Sequence, residues 1–124
     1  MLIEAYFAEI EKSISSCPFV HTYNIVKDKR SLYIGLVEGV VKFMDNSTLH
    51  FTEFIDVSKG IEKFKYSYHY EDAHKEMIFR YDMAPHFKNI KTHPHHKHEK
   101  DKVIESAEPT LMSILNEIEK IFVV

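Results

Sequence analysis

Histidine is the residue type whose number and spacing in this chain point most directly to chemistry. Nine of the 124 residues are histidine, and five of them fall between positions 86 and 98. These five are His86, His93, His95, His96 and His98, interleaved with Lys88, Lys91 and Lys97. Because imidazole titrates near pH 6.5, both the charge of this segment and its ability to bind metal change over the physiological range.

The histidine segment has three interpretations. The first is a metal site on His95, His96 and His98, since imidazole is a common ligand of zinc, nickel and copper. Against it, the chain has a single cysteine and no motif with established metal spacing. The second is catalytic, because a histidine near its own pKa gives or takes a proton while Arg80 or Lys97 stabilises a pentavalent phosphate. The third is structural, with the imidazoles lining a solvated loop. Spacing alone leaves all three open.

A second group of polar side chains lies on two stretches with strand-like alternation. Ser67 and His69 alternate with three tyrosines in the first stretch, and Arg80 and Asp82 alternate with aromatic residues in the second. Side chains alternate between the two faces of a strand, so each polar pair shares a face. The pairs form either a polar site, with His69 near Arg80, or a simple cross-strand ion pair beside packed tyrosines. Glu53, on an earlier strand, is expected at a solvated edge.

The elements that position these residues are predicted from apolar periodicity. Apolar residues recur at helical spacing in residues 2–16 and again in 109–122, and Pro18 ends the first helix. Between the helices, stretches rich in Val, Ile, Tyr and Phe predict strands from 19 to 83. Residues 84–102 are predicted to form a long loop with short extended pieces. The predicted fold class is α+β, an antiparallel sheet of about five strands with an N-terminal and a C-terminal helix.

Length and composition limit the class of protein. At 124 residues the chain is expected to form one domain, residues 1–124. The single cysteine and the acidic N-terminal stretch predict a cytoplasmic protein, and no apolar run is long enough for a membrane span. The formal charge of -3 counts against a strongly basic nucleic-acid binder but leaves room for a local RNA site.

Four runs of the chain carry a resemblance to a known family. They are Tyr66-Ser67-Tyr68-His69-Tyr70, Ile78-Phe79-Arg80-Tyr81-Asp82, Ala84-Pro85-His86 and Pro94-His95-His96-Lys97-His98. Together they resemble the TumE-like family of small prokaryotic proteins, assigned as toxins of type II toxin-antitoxin pairs. Two positions differ, since Asn46 stands where the family usually has Gly and Met83 where Asn is common. The resemblance implies a toxin held inactive by a cognate antitoxin protein encoded beside it.

Two functions from different classes follow as alternatives. The first is an RNA-directed toxin that acts as a metal-independent ribonuclease. The second is a non-catalytic binding module whose histidine-rich loop contacts a partner protein or a metal. The sequence does not decide whether the protein is an enzyme or whether it forms a homo-oligomer. We expect no cofactor, with a divalent metal on the histidines as the alternative.

The ribonuclease interpretation makes a geometric prediction. Its candidate catalytic residues are His69, Arg80, His86, His95, His96 and His98. A hairpin of two strands would bring His69 and Arg80 together across the ladder, and the following loop leaves directly from the end of that hairpin. Loop closure costs entropy that grows only slowly with length, so the loop can return over the sheet. All six side chains are therefore expected to converge on one concave surface.

Overall fold

A computed structural model of the chain describes residues 1–83, 95–99, 102–105 and 107–123. This part of the chain contains two helices and seven strands. The helices are α1 (Ile3–Ser15) and α2 (Leu111–Val123). The strands are β1 (Val20–Lys29), β2 (Ile34–Phe43), β3 (Thr48–Asp56), β4 (Glu62–Glu71), β5 (Met77–Met83), β6 (His95–Glu99) and β7 (Lys102–Glu105).

The strands form one sheet in which each pairs antiparallel with the next along the chain. The predicted fold class is confirmed, and the strands expected between 19 and 83 are present. The sheet then continues through β6, which lies within the predicted loop and its short extended pieces, and through β7, which begins at the last residue of that loop. The strand period of β6 was hidden because polar side chains occupy both of its faces. His95 contacts Tyr66 on one side of the sheet, whereas His96 contacts Asp82 on the other.

Both helices pack on the same face of the sheet, through the apolar stripes that the sequence predicts. The buried residues of α1 are Ile3, Tyr6, Phe7, Ile10 and Ile14, and those of α2 are Leu111, Ile114, Leu115 and Ile118. Phe122 near the end of α2 stacks on Phe19 and also contacts Phe43 of β2. The helices therefore cover one side of the sheet, and we call this side the helix face and the other the open face.

Close approach between the layers requires glycine at two positions of β2. A Cβ atom on Gly35 would lie 2.7 Å from Cζ of Phe7 in α1. A Cβ atom on Gly39 would lie 2.3 Å from the ring of Phe51, which packs over β2 from β3. Since real Cβ atoms do not approach so closely, these glycines allow α1 and the Phe51 ring to sit directly on the strand.

The side of β4 that lies on the helix face forms part of the core. Tyr66, Tyr68 and Tyr70 are almost fully buried there. Ser67 and His69 alternate with them and so project from the open face. The tyrosines thus pack in the core, and the polar side of β4 remains available for a site.

Glu53 is fully buried, so the expectation of a solvated edge is wrong for this residue. It has the same parity along β3 as Phe51 and Ile55, which places its carboxylate in the core. The hydroxyls of Tyr6 and Tyr68 both donate to it, and Lys63 Nζ lies 3.6 Å away. Desolvation, followed by the charge of Glu53, raises the pKa of the Tyr6 hydroxyl far above its ordinary value. The carboxylate is thereby kept in the core by two donors and a cation.

Neither of the two helices in the described part of the chain is long and apolar enough to cross a membrane.

Candidate functional site

A row of four polar side chains crosses the open face at one level of the sheet. The register pairs His50 of β3 with His69 of β4, His69 with Arg80 of β5, and Arg80 with His98 of β6. Directly paired residues of antiparallel strands project on the same side of a sheet. Arg80 therefore lies between two imidazoles, each one strand away, at a strand spacing of about 4.8 Å.

A second row, two residues further along β5, supports the first. Ser67, Asp82 and His96 are paired in register across β4, β5 and β6. Asp82 Oδ2 lies 2.6 Å from Nη2 of Arg80, while Oδ1 lies 2.5 Å from Nε2 of His96 and 3.3 Å from Nε2 of His98. One carboxylate thus contacts a guanidinium and two imidazoles, and it orients all three.

The two rows differ in burial. His96 and Asp82 are buried, at 1% and 6% exposure. By contrast, the side chains of Arg80, His69 and His98 keep 47%, 33% and 20% of their surface exposed. A buried Asp82 and His96 therefore support groups that a ligand can reach.

His69 has an environment that favours its neutral form. Partial burial is the largest cause that lowers the pKa of its imidazole below the ordinary value of 6.5. The charges of His50 and Arg80 act in the same direction, and Glu71 opposes them. Glu71 lies 3.8 Å from His69 and 3.1 Å from His50, so it faces both imidazoles. At neutral pH, His69 is accordingly a proton acceptor beside a permanent cation.

A groove runs from this histidine row towards the first strands of the sheet. Its volume is about 290 Å³, and its lining includes His50, Thr52, Ser67 and His69 together with residues of β1 and β2 such as Asn24. The lining is mixed polar and apolar, as expected of a surface that binds an extended polar ligand rather than a compact apolar one. The groove leads to the row but does not contain Arg80 or His98.

The structure brings together four of the six candidate residues, His69, Arg80, His96 and His98. His95 lies on the helix face instead, where Nδ1 is 2.9 Å from the hydroxyl of Tyr66 and the two rings stack. The expected convergence is therefore wrong for His95, because neighbouring strand residues point to opposite faces. His86 lies outside the described residues.

Two further residues belong to this surface. His50 was not singled out by its sequence context, since an isolated histidine on a strand has no spacing signal. Its alternation with Leu49 and Phe51 does place it on the open face. Asp82 was interpreted as an ion-pair partner of Arg80, which it is, although both residues lie on β5 rather than on opposite strands.

Lys97 was the alternative to Arg80 as the cation for a phosphate. Its ammonium group donates to Glu117 of α2 at 2.9 Å and lies over the rings of Phe79 and Tyr81. It therefore faces α2, on the side opposite the histidine row. Arg80 is thus the candidate cation on the open face.

Comparison with known proteins agrees with the resemblance found in the sequence. A family model described as Toxin TumE matches residues 10–122. No curated protein and no solved structure gives a significant match. Because the family match covers nearly the whole chain, including both rows of the open face, the end of α1 and almost all of α2, this chain belongs to the TumE toxin family.

Proposed function

We propose that this protein is a toxin that cleaves RNA without a metal ion and that a cognate antitoxin protein holds inactive. The observation that carries the proposal is the position of Arg80 between His69 and His98 on the open face. A cation flanked by two imidazoles matches the needs of phosphodiester cleavage, which requires a charge on the phosphate, a proton acceptor and a proton donor.

Arg80 supplies the phosphate contact in this proposal. A guanidinium presents several N–H donors in a planar fork that suits the oxygens of a phosphate. Asp82 binds the Nη2 atom of the Arg80 guanidinium, and about half of the Arg80 side chain remains exposed. The guanidinium is therefore fixed in place before the ligand arrives, which favours stabilisation of charge that develops in the transition state.

The two imidazoles divide the proton transfers between them. His69, neutral at pH 7, takes the proton of a ribose 2′-hydroxyl as that oxygen forms a bond to the adjacent phosphorus. The bond from phosphorus to the 5′-oxygen breaks, and a protonated His98 gives its proton to that oxygen. The products are a 2′,3′-cyclic phosphate and a 5′-hydroxyl end. Asp82 Oδ1, 3.3 Å from His98, orients the donor ring.

The family membership supports the antitoxin part of the proposal, since a toxin of a toxin-antitoxin pair is neutralised by its partner. The groove beside the histidine row offers a path for the RNA strand. Its lining has no lysine or arginine and includes the acidic Glu38, so we expect the binding energy to depend mainly on the few positive charges of the row. RNA binding should therefore weaken with added salt, but less steeply than for a strongly basic protein.

Substitution of His69 tests the proposed proton acceptor. We expect His69→Ala to lower the rate of RNA cleavage by purified protein about 10²–10⁴-fold, the usual contribution of general acid-base catalysis. The matched control is His74→Ala, because His74 is exposed in the turn between β4 and β5 and lies outside the paired residues that form the row. The assay uses labelled RNA in excess chelator. Equal rates for His69→Ala and wild type would remove His69 from the mechanism.

The pH dependence of cleavage offers a second test of His69. Since the proton acceptor must be neutral, the rate should rise with pH through the lowered pKa of His69. The midpoint of this acidic limb should lie below pH 6.5. Glu71 raises that pKa, whereas His50 and Arg80 lower it, so Glu71→Gln should move the limb to still lower pH. An acidic limb above pH 6.5, or one that Glu71→Gln moves upward, would contradict the assignment.

A further inference from the structure

Three donor atoms on the open face point to one spot between β5 and β6. They are Oδ1 of Asp82, Nε2 of His96 and Nε2 of His98, and all lie within 4.8 Å of one another. The arrangement follows from the register, because Asp82 pairs directly with His96 and His98 is two residues further along β6 on the same face. Two adjacent strands thus bring three ligating groups together, and all three groups come from strand residues.

The chemistry of this donor set suits a divalent transition metal. Two imidazoles and a carboxylate are ligands that zinc and its neighbours prefer, and three protein ligands leave a position for water. Bond lengths of about 2.0–2.2 Å imply that ligand atoms around a tetrahedral ion lie roughly 3.3 Å apart. Asp82 and His98 already have this separation, at 3.3 Å. Asp82 and His96, at 2.5 Å, would move apart by about 1 Å to accommodate an ion between them.

The surroundings of the three groups are also those of a metal site. Asp82 and His96 are buried, which limits competition from water for their donor atoms. Arg80 contacts Oδ2 of Asp82 at 2.6 Å, and this contact leaves Oδ1 turned towards the imidazoles. Such contacts from outside the ligand set fix the direction of a ligating group.

We propose that Asp82, His96 and His98 bind one divalent transition-metal ion of the zinc class. This set replaces the sequence-based alternative of His95, His96 and His98, because His95 faces the helices. The ion would occupy the imidazole nitrogen of His98 and so prevent it from giving a proton to RNA. Zinc is therefore expected to inhibit cleavage. This inhibition rests on the proposed function, whereas the binding of zinc to the three residues is independent of it.

The binding test uses the chelator-treated full chain, titrated with Co²⁺ in absorption spectroscopy and with Zn²⁺ in competition against a chromophoric chelator. We expect one ion per chain and the visible bands of low-coordinate cobalt. His98→Ala should weaken binding at least about 100-fold, since loss of a ligand exceeds the 10–100-fold effect of losing a group that only orients one. His95→Ala, a change on the same strand but the opposite face, should bind as wild type does.

Thermal melting provides a second readout, and His98→Ala is the ligand variant because replacement of the buried His96 by Ala would also disturb packing. An ion that binds only the folded chain raises the melting temperature. Zn²⁺ should raise it for wild type and His95→Ala but not for His98→Ala. Absence of stoichiometric binding, undiminished binding by His98→Ala, or loss of binding in His95→Ala would overturn the site. A failure to cleave RNA would leave the metal site standing, and a failure to bind metal would leave the cleavage proposal standing.

Discussion

Replacement of Arg80 by Ala is expected to abolish toxicity on induced expression in bacteria and to slow RNA cleavage in vitro by about 10²–10³-fold. This is the usual effect of removing one group that stabilises transition-state charge. Arg80 is the cation of the histidine row, and no neighbouring lysine on its face takes its place among the described contacts, since Lys97 faces α2. Growth after induction and the cleavage rate of the purified variant are the measurements.

The chain offers a closely matched control in Arg30→Ala. Arg30 is also about half exposed and also bonds an aspartate two residues away, Asp28, at 2.9 Å. The Arg30→Ala change removes a similar surface ion pair, and such a pair contributes about 0–1 kcal/mol to the stability of the fold. Arg30→Ala should keep both toxicity and cleavage, and melting curves should show both variants folded. A folded Arg80→Ala protein that still arrests growth would refute the role of Arg80.

Replacement of Glu53 by Ala is expected to destabilise the fold by about 3–5 kcal/mol, the cost of leaving a buried charge without its partner. The variant would leave the ammonium group of Lys63 buried without its carboxylate, since the Lys63 side chain is only 4% exposed. It would also remove the acceptor of the hydrogen bonds from Tyr6 and Tyr68. Lys63 would keep two contacts, at 2.7 Å to Tyr68 and 2.6 Å to the carbonyl of Pro109. Denaturant unfolding measures the loss.

Two further variants test whether the stability lost in Glu53→Ala comes from the buried charge network or from any substitution in the sheet. Glu38→Ala changes an exposed glutamate on the adjacent strand β2 and should alter stability by less than about 0.5 kcal/mol. The double variant Glu53→Met with Lys63→Met removes both charges and should recover most of the stability lost in Glu53→Ala. A Glu53→Ala protein as stable as wild type would show that the carboxylate is not held as described.

The sequence predicted the scaffold well where local periodicity and packing agree. The stripe of α1 and the alternation of tyrosines with Ser67 and His69 both follow directly from spacing. The pairing of His69 with Arg80 was also predictable, because a short hairpin fixes the register of its two strands. The side of β4 that enters the core depended on where α1 and α2 pack, which no local pattern specifies.

The parts that sequence reasoning missed depend on tertiary contacts. Glu53 appeared polar and therefore exposed, yet hydroxyl donors on α1 and β4 satisfy its carboxylate in the core. β6 appeared to be loop because its side chains are polar on both faces, and only its pairing with β5 shows it as a strand. His95 was grouped with His96 by proximity in sequence, although strand alternation separates the two.

The chemistry of the RNA ends tests the central claim most directly, that His69, Arg80 and His98 form one metal-independent cleavage site. Purified protein would be incubated with a defined RNA in excess chelator, and the termini of the products identified. Proton transfer from the 2′-hydroxyl to His69 and from His98 to the 5′-oxygen predicts 2′,3′-cyclic phosphate and 5′-hydroxyl ends. Arg80→Ala should fail to produce these ends, and Arg30→Ala should produce them normally. Intact RNA, or products that carry 5′-phosphate and 3′-hydroxyl ends, would contradict the account.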